Sequence, residues 1–262
     1  MTGTGFRHLS VTLEGDGIAL VRMDRPDKRN AINDALIADL GAFFGAPPAG
    51  AKVAILLGAG DHFCAGLDLA EHKERDPFGV MHHSQSWHRA FEALEFGGLP
   101  VVSVLHGAVI GGGMEIAMST HVRVAEPTAT YALPEGRRGI FVGGGASVRV
   151  SRILGADRMR EMMLTGRRYD ARAGQDLGLS HYLVGAGEGL DKARELARTI
   201  AGNAPISNYM MLTALARIGD MAMTEGLFAE SLATAMTQTS AHAREGMAAF
   251  LEKRATDFKE ES

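Results

Sequence analysis

The chain has 262 residues, of which 46% are hydrophobic and 22% charged, and its formal net charge is -4. This length suits one large domain or one domain with a helical extension, and a weakly acidic chain is a poor general binder of nucleic acids or membrane surfaces. The single cysteine, Cys64, excludes an intrachain disulfide and favours a reducing compartment, so we expect a soluble cytoplasmic protein with neither nucleic acid nor a membrane as partner.

Alternating strands and helices are predicted for the first part of the chain. Its start has no charged leader followed by a long apolar run, so no signal peptide is expected. Residues 8–13 and 18–23 flank a turn-forming segment and predict a β-hairpin. Asp34 is the predicted cap of a helix that runs to about Phe44, and residues 52–57 form the next strand.

The middle of the chain continues this pattern and predicts an α/β core. A helix is predicted over 84–94 and a buried strand over 100–105. The apolar stretch around this strand is interrupted at 106–107 and is too short to span a membrane. Two further strands are predicted over 121–125 and 130–133.

Helices dominate the remainder of the chain. They are predicted over 147–154, 157–164, 171–177 and 190–201, and after Pro205 the chain is predicted to be helical to its end, with breaks at Gly219 and Gly246. Methionines at helical spacing predict a core face or a subunit contact rather than a ligand site. They are Met210, Met211, Met221, Met223, Met236 and Met247.

A glycine run, Gly111 to Gly113, opens a short apolar helical stretch that contains Glu115, and Glu135 follows further along the chain. Glycines leave backbone N–H groups unshielded, and a helix start leaves such donors unpaired, so the segment suits a developing anion. Two carboxylates beside such donors can share acid and base work on one substrate. We therefore predict an enzyme that stabilises an oxyanion.

Plainer interpretations of these residues stay open on the sequence alone. The glycine run also suits a tight strand-to-helix turn, Glu115 a favourable charge in a first helical turn, and Glu135 an ion pair with neighbouring arginines. A second run, Gly143 to Gly145, lacks the Gly-Lys-Ser/Thr ending of a phosphate-binding loop. Neither run completes a dinucleotide-binding fingerprint, which disfavours a nucleotide-dependent oxidoreductase.

Four histidines lie close together along the chain: His72, His82, His83 and His88. No His-Glu-x-x-His sequence occurs, and adjacent residues of one helix face different sides, so no metal site is expected. Ordinary surface or core roles are favoured, and contact with a polar group of the substrate is the alternative. Cys64 is predicted to be a small buried residue because no Cys-His pair is visible.

Four separated segments, taken in order, resemble the crotonase superfamily, also called the enoyl-CoA hydratase/isomerase superfamily. They are residues 25–33, 63–69, 107–115 and 133–135, which read RPDKRNAIN, FCAGLDL, GAVIGGGME and LPE. Residues 245–254, EGMAAFLEKR, resemble the family's C-terminal helix. The order of the four segments together with this matching end identifies the family.

The resemblance implies a right-handed spiral of ββα turns over residues 1–200, followed by a helical oligomerisation region over 201–262. Members are commonly trimers or pairs of trimers, so a homotrimer or hexamer is expected. The implied ligand is an acyl-CoA thioester. No metal or further cofactor is implied, since the coenzyme A is part of the substrate.

The resemblance also assigns roles to single residues. The backbone N–H groups of Leu67 and Gly112 match the oxyanion hole for the thioester carbonyl. Glu115 and Glu135 match the pair that holds water and moves protons. Positions that match the coenzyme A and substrate path are Lys28, Arg29, Ala31, Ala65, Asp68, Leu69, Gly111, Phe250 and Lys253.

The presence of both glutamates favours hydration of a 2-enoyl-CoA. Isomerisation of the double bond is the main alternative, because it can work with one glutamate. Thioester hydrolysis or decarboxylation is a less favoured alternative. A non-catalytic scaffold or RNA-binding member of the fold is disfavoured by the two glutamates and the acidic charge. Residues 70–96 match the family least, so the acyl group is left undefined.

Overall fold

The computed structural model describes residues 5–71, 73–256 and 258, and its mixed α/β core agrees with the prediction. The strands are β1 (Leu9–Leu13), β2 (Ile18–Met23), β3 (Val53–Gly58), β4 (Val101–Leu105), β5 (Ala108–Ile110), β6 (Val122–Ala125), β7 (Thr130–Ala132) and β8 (Tyr182–Leu183). The helices are α1 (Asp34–Gly45), α2 (Pro77–Phe96), α3 (Gly112–Met118), α4 (Ala146–Leu154), α5 (Ala156–Thr165), α6 (Ala171–Asp176), α7 (Gly189–Ala201), α8 (Pro205–Thr213), α9 (Leu215–Ile218), α10 (Met223–Gln238) and α11 (Ala241–Glu252). Short 3-10 helices span Pro26–Lys28 and Glu135–Arg138.

Two stacks of strands build the core. The larger sheet has the order β1-β2-β3-β4-β6-β8, with the β1–β2 hairpin antiparallel and the other pairs parallel. The second stack contains the parallel pair β5–β7, and the parallel bridges Ile32–Leu67 and Cys64–Val109 extend it. Successive ββα units therefore lie one above the other as turns of a spiral.

Strand β3 shows why this sheet is stable between two helical layers. Its side chains alternate between the faces of the sheet, and both faces are buried, as expected for a parallel strand under crossover helices. Ile55 and its neighbours two residues away pack against Ala193 and Ala197 of α7. Leu56 lies in the other cluster, with Leu40 of α1.

Three predicted helix boundaries are wrong, each for a local reason. The cap of α1 is Asn33, not Asp34, because Asn33 is extended and its Oδ1 accepts a hydrogen bond from the Leu36 N–H at 2.9 Å. Helix α2 begins at Pro77 rather than near residue 84, since Asp76 caps it. Helix α11 runs through Gly246 without a break.

Helices α8 to α11 expose many apolar side chains. Five of the six methionines of this region are exposed, at positions 211, 221, 223, 236 and 247. The prediction that they form a core face is therefore wrong within one chain, whereas the subunit contact stays a prediction, as does the division at residue 200. In the described ranges, no helix is both long and apolar enough to cross a membrane.

Candidate active site

A cavity of about 250 Å³ opens where the loop before α2, the turn between β5 and α3, and the segment after β7 meet. Its walls include Leu67, Trp87, Gly112, Glu115, Glu135 and Gly144. The spiral brings these residues together because Leu67, Gly112 and Glu135 follow successive positions of the second stack, namely the Cys64 bridge, β5 and β7. Trp87 lies on α2, Glu115 on α3, and Gly144 just before α4. Two oxyanion-hole candidates and both glutamates thus share one cavity.

Gly111 makes the turn that joins β5 to α3. Its φ is 54° and ψ is -120°, and its N–H donates to the Ala132 carbonyl at 2.9 Å. A Cβ at this position would lie only 2.7 Å from Glu135 Oε1. The backbone of the glycine run and the Glu135 carboxyl can approach this closely only because residue 111 lacks a side chain.

Two backbone N–H groups in the cavity wall have no partner within the described part of the chain. The N–H groups of Leu67 and Gly112 donate to no protein acceptor there. The two backbones are adjacent, since a Cβ on Gly66 would lie 3.4 Å from the Gly112 nitrogen. Unpaired N–H groups at a cavity wall are able to bind an oxygen that carries negative charge.

The loop that carries Leu67 is held by backbone pairing and a buried ion pair. The Ile32 N–H donates to the Gly66 carbonyl at 2.8 Å, and the Asp68 N–H donates to the Ile32 carbonyl at 2.9 Å. Arg25, which is buried, pairs with Asp68 at 3.0 Å. This role of Arg25 was not predicted from the sequence, although the residue begins the first family segment.

Glu115 is the more tightly held carboxylate. Its side chain is buried, and its Oε1 accepts hydrogen bonds from the N–H groups of Gly144 at 2.7 Å and Ala146 at 3.1 Å. Burial raises the pKa of Glu115, while these two donors and the positive charge of Arg149 act to lower it. The net shift of the pKa is upward, so this carboxylate is a stronger proton acceptor than an ordinary glutamate, while the two donors oppose the shift by stabilising its charged form.

Glu135 lies at the start of its 3-10 helix in a poorer hydrogen-bonding environment. Its side chain is buried, and Oε2 has no hydrogen-bond partner among the described residues. Burial raises the pKa of Glu135 to about 7, and the charge of Glu115 adds to the increase. The Glu135 carboxyl therefore retains its proton close to neutral pH and is suited to donate it.

The raised pKa of Glu135 predicts a pH-dependent cost to stability. The folded protein holds this proton up to about pH 7, while the ordinary value of 4.5 applies to the unfolded chain, so the free energy of unfolding falls between these pH values. Glu135→Gln removes this loss and is expected to stabilise the protein by at most about 3 kcal/mol at pH 8. Denaturant unfolding at pH 4 and pH 8 measures it.

The control for this measurement is Glu92→Gln, at an exposed position on α2. It is expected to leave the free energy of unfolding unchanged at both pH values. Equal stability of the wild type and the Glu135→Gln variant at pH 8 would contradict the assigned environment of Glu135.

The residues predicted along the coenzyme A path fall into three sets: three line the cavity, four lie in or beside the loop that carries Leu67, and two lie on or after α11. Ala65, Leu69 and Gly111 line the cavity, and Ala65 donates its N–H to the Arg29 carbonyl at 3.0 Å. Lys28 and Arg29 are exposed beside this loop, and Asp68 is engaged by Arg25, which also donates to the Ala31 carbonyl. Phe250 and Lys253 are exposed on and after α11 and do not line the cavity.

One of the clustered histidines reaches the cavity. His83 lines it and contacts Asp34 Oδ1 through Nε2 at 2.9 Å. His82 and His88 do not line it, and His72 lies outside the described residues. Across the ranges that the structure describes, no group of three or more His, Cys, Asp or Glu side chains is placed to hold a metal ion.

Cys64 is buried next to the Leu67 loop, as predicted. Its burial raises the pKa of the thiol to about 12. The Gly66 N–H donates to its sulfur at 3.5 Å. A protonated, enclosed thiol serves as packing rather than as a nucleophile.

Comparison with known proteins supports the fold. The family model described as enoyl-CoA hydratase/isomerase matches residues 14–261. A solved structure from Rhodopseudomonas palustris, provisionally described as an enoyl-CoA hydratase, is 45% identical and has a TM-score of 0.91, over 96% of this chain and 98% of that chain. The predicted crotonase-type fold is therefore confirmed.

Curated relatives carry the names of two reactions. The short-chain-enoyl-CoA hydratase of Clostridium acetobutylicum is 31% identical over 249 residues, which cover 94% of this chain and 95% of that protein. An enoyl-CoA isomerase/hydratase of Mycosarcoma maydis is 29% identical over an alignment of 271 positions, which covers 98% of this chain and 99% of that protein. The relatives share a family of reactions on enoyl-CoA thioesters rather than one reaction.

Proposed function

We propose that this chain, which belongs to the enoyl-CoA hydratase/isomerase family, is an enoyl-CoA hydratase. Such an enzyme adds water across the double bond of a 2-enoyl-CoA thioester. The observation that carries the proposal is that one cavity holds two buried glutamates together with the Leu67 and Gly112 N–H groups, which have no partner among the described residues. A proton shuttle between two carbons requires one carboxyl group. Addition of water uses two, because one proton leaves the water and another reaches carbon.

In the proposed reaction, the Leu67 and Gly112 N–H groups bind the thioester oxygen. The Glu115 carboxylate takes a proton from water as the water oxygen bonds to C3, and the electron pair of the double bond moves towards the thioester oxygen as an enolate. The enolate then returns its electrons to C2, which takes the proton of Glu135. A proton passes from Glu115 back to Glu135 after the 3-hydroxyacyl thioester leaves, which restores the starting state.

The rest of the substrate is proposed to lie along the exposed edge of the first two family segments. Lys28 and Arg29 supply positive charge for coenzyme A phosphates there. The reaction as written needs no metal and no redox cofactor. We also propose a cytoplasmic location, which the single reduced thiol of Cys64 supports.

The proposed acid role of Glu135 predicts how activity depends on pH. Because the pKa of Glu135 is raised to about 7, its acid form is present below that pH and is lost as the pH rises through it. The ratio kcat/KM for crotonyl-CoA is therefore expected to fall about tenfold per pH unit on the alkaline side. A profile measured from about pH 5 to 9 tests this, and a plateau that extends to pH 9 would contradict the role.

We further propose that the apolar surface of α8 to α11 is a contact between copies of this chain, in a trimer or hexamer. Phe228 and Leu232 lie one helical turn apart on α10 and are 67% and 53% exposed. The double variant Phe228→Glu, Leu232→Glu is expected to convert the oligomer to monomers in light scattering after size-exclusion chromatography. Ser10→Glu on β1 is the control and is expected to leave the oligomeric state unchanged. A monomeric wild type would contradict the proposed assembly.

The proposed reaction is tested by assaying hydration and isomerisation side by side. Loss of enoyl-thioester absorbance with crotonyl-CoA and longer 2-enoyl-CoA thioesters reports hydration. Gain of that absorbance with 3-enoyl-CoA thioesters reports isomerisation. The proposal expects hydration to have the higher kcat/KM, and activity on the 3-enoyl thioesters alone would assign the site to an isomerase.

A further inference from the structure

The hydrogen bonds that hold the Glu115 carboxylate are donated by the backbone of a glycine-rich segment. Gly143 to Gly145 and the first residue of α4, Ala146, are together called the 143–146 loop. Two of its N–H groups, those of Gly144 and Ala146, donate to Glu115 Oε1. A Cβ on Gly144 would lie 2.6 Å from Glu115 Oε2, so loop and carboxylate are in close contact. Glycine backbones have many accessible conformations, and a restraint from elsewhere must keep this one populated.

Arg149 of α4 supplies such a restraint. Its Nη1 donates to the Gly144 carbonyl at 3.2 Å, on the residue whose N–H binds Glu115. The guanidinium also packs directly on Gly145, where an added Cβ would collide with Nη1. The arginine therefore contacts the loop at two residues, Gly144 and Gly145, and the first of these also binds the carboxylate.

Glu95 of α2 fixes Arg149 in turn. Its Oε2 accepts a hydrogen bond from Arg149 Nε at 2.6 Å, and the two side chains are only 18% and 12% exposed. A guanidinium held at two different nitrogens has little freedom to swing away. This link could not be predicted from a local pattern, because Glu95 and Arg149 are 54 residues apart in the chain.

We propose that Arg149, anchored by Glu95, is a positioning residue that keeps the 143–146 loop in the conformation that binds the Glu115 carboxylate. This rests on the proposed hydratase function. The charge of Arg149 acts in the same direction as the hydrogen bonds, since it favours the ionised form of Glu115. Glu135 and the protonated thiol of Cys64 also interact electrostatically with Glu115, whose charge raises the pKa of both.

The competing explanation is that Arg149 and Glu95 only join α4 to α2. A structural link of this kind lowers the melting temperature but leaves the pH profile of kcat where it was. A positioning role lowers kcat at nearly constant KM, because the substrate's binding groups are untouched. It also moves the acidic limb of the kcat profile to higher pH, because Glu115 loses stabilisation of its charged form.

The test is steady-state hydration of crotonyl-CoA across pH by Arg149→Met, Arg149→Lys and Glu95→Gln variants. Arg149→Met is expected to lower kcat on the order of 10- to 100-fold and to move the acidic limb up by about one pH unit. Arg149→Lys keeps the charge and is expected to restore the limb's position but only part of kcat. Arg152→Met is the control, since Arg152 lies on the same helix in an exposed pair with Asp220.

Wild-type kcat and an unmoved acidic limb in Arg149→Met, with a lower melting temperature, would overturn the proposal. Should that variant fail to fold, Arg149→Lys and Glu95→Gln decide between the same two outcomes. A wild-type protein that hydrates no enoyl-CoA thioester refutes the proposed function instead. The two failures are therefore distinguishable.

Discussion

Replacement of Glu135 by glutamine is expected to lower kcat for crotonyl-CoA hydration by about 10²- to 10⁴-fold. Glutamine fills the same space but holds no acidic proton for C2, so the enolate cannot collapse to product efficiently. KM is expected to change little, because the Leu67 and Gly112 donors and the coenzyme A path are unaltered. Steady-state kinetics at a pH below 7 measure both parameters.

Two further variants sharpen this result. Glu115→Gln is expected to cause a loss of similar size, since the attacking water then lacks its base. Glu92→Gln, at an exposed position on α2, is the matched control and is expected to keep wild-type kinetics. Normal turnover by Glu135→Gln would remove this residue from the mechanism.

Replacement of Gly66 by alanine is expected to lower kcat by on the order of 10²- to 10³-fold, the cost of losing one oxyanion-hole donor. Gly66 has a φ of +93°, and a Cβ there would lie 2.7 Å from the Ile110 carbonyl oxygen. Alanine therefore forces apart the two segments that carry the Leu67 and Gly112 N–H groups. The thioester oxygen then loses the paired geometry on which the enolate depends.

Gly50→Ala separates this effect from backbone strain. Gly50 also has a positive φ, of +83°, but a Cβ there would meet nothing within 4 Å. Its alanine variant is expected to lose stability without a loss of kcat, whereas Gly66→Ala loses both. A Gly66→Ala protein that is folded by circular dichroism and has wild-type kcat would contradict the assigned oxyanion hole.

Part of the layout of the site was predictable from local sequence. The glycine run before Glu115 specified a sharp turn into a helix, and the apolar runs specified the strands that stack the turns. The family resemblance then related Leu67 to Gly112, which no local pattern connects. The structure places these two residues and both glutamates in one cavity, and the roles assigned to them stay predictions.

The contacts that tune the two carboxylates were not predictable in the same way. Arg149 and Glu95 look like ordinary charged helical residues, and their pairing depends on how α2 crosses α4. Arg25 is likewise an arginine whose burial against Asp68 becomes visible only in three dimensions. Side-chain partners of this kind follow from packing between distant segments, which neither periodicity nor a short motif encodes.

Oxygen-18 incorporation tests the central proposal most directly. The wild-type protein is incubated with crotonyl-CoA in water enriched in oxygen-18, and the product is analysed by mass spectrometry. Hydration predicts a 3-hydroxyacyl thioester with one heavy oxygen at C3, formed much more slowly by Glu135→Gln. Recovery of unlabelled crotonyl-CoA or of an unlabelled double-bond isomer, with no hydroxylated product, would contradict the assignment as a hydratase.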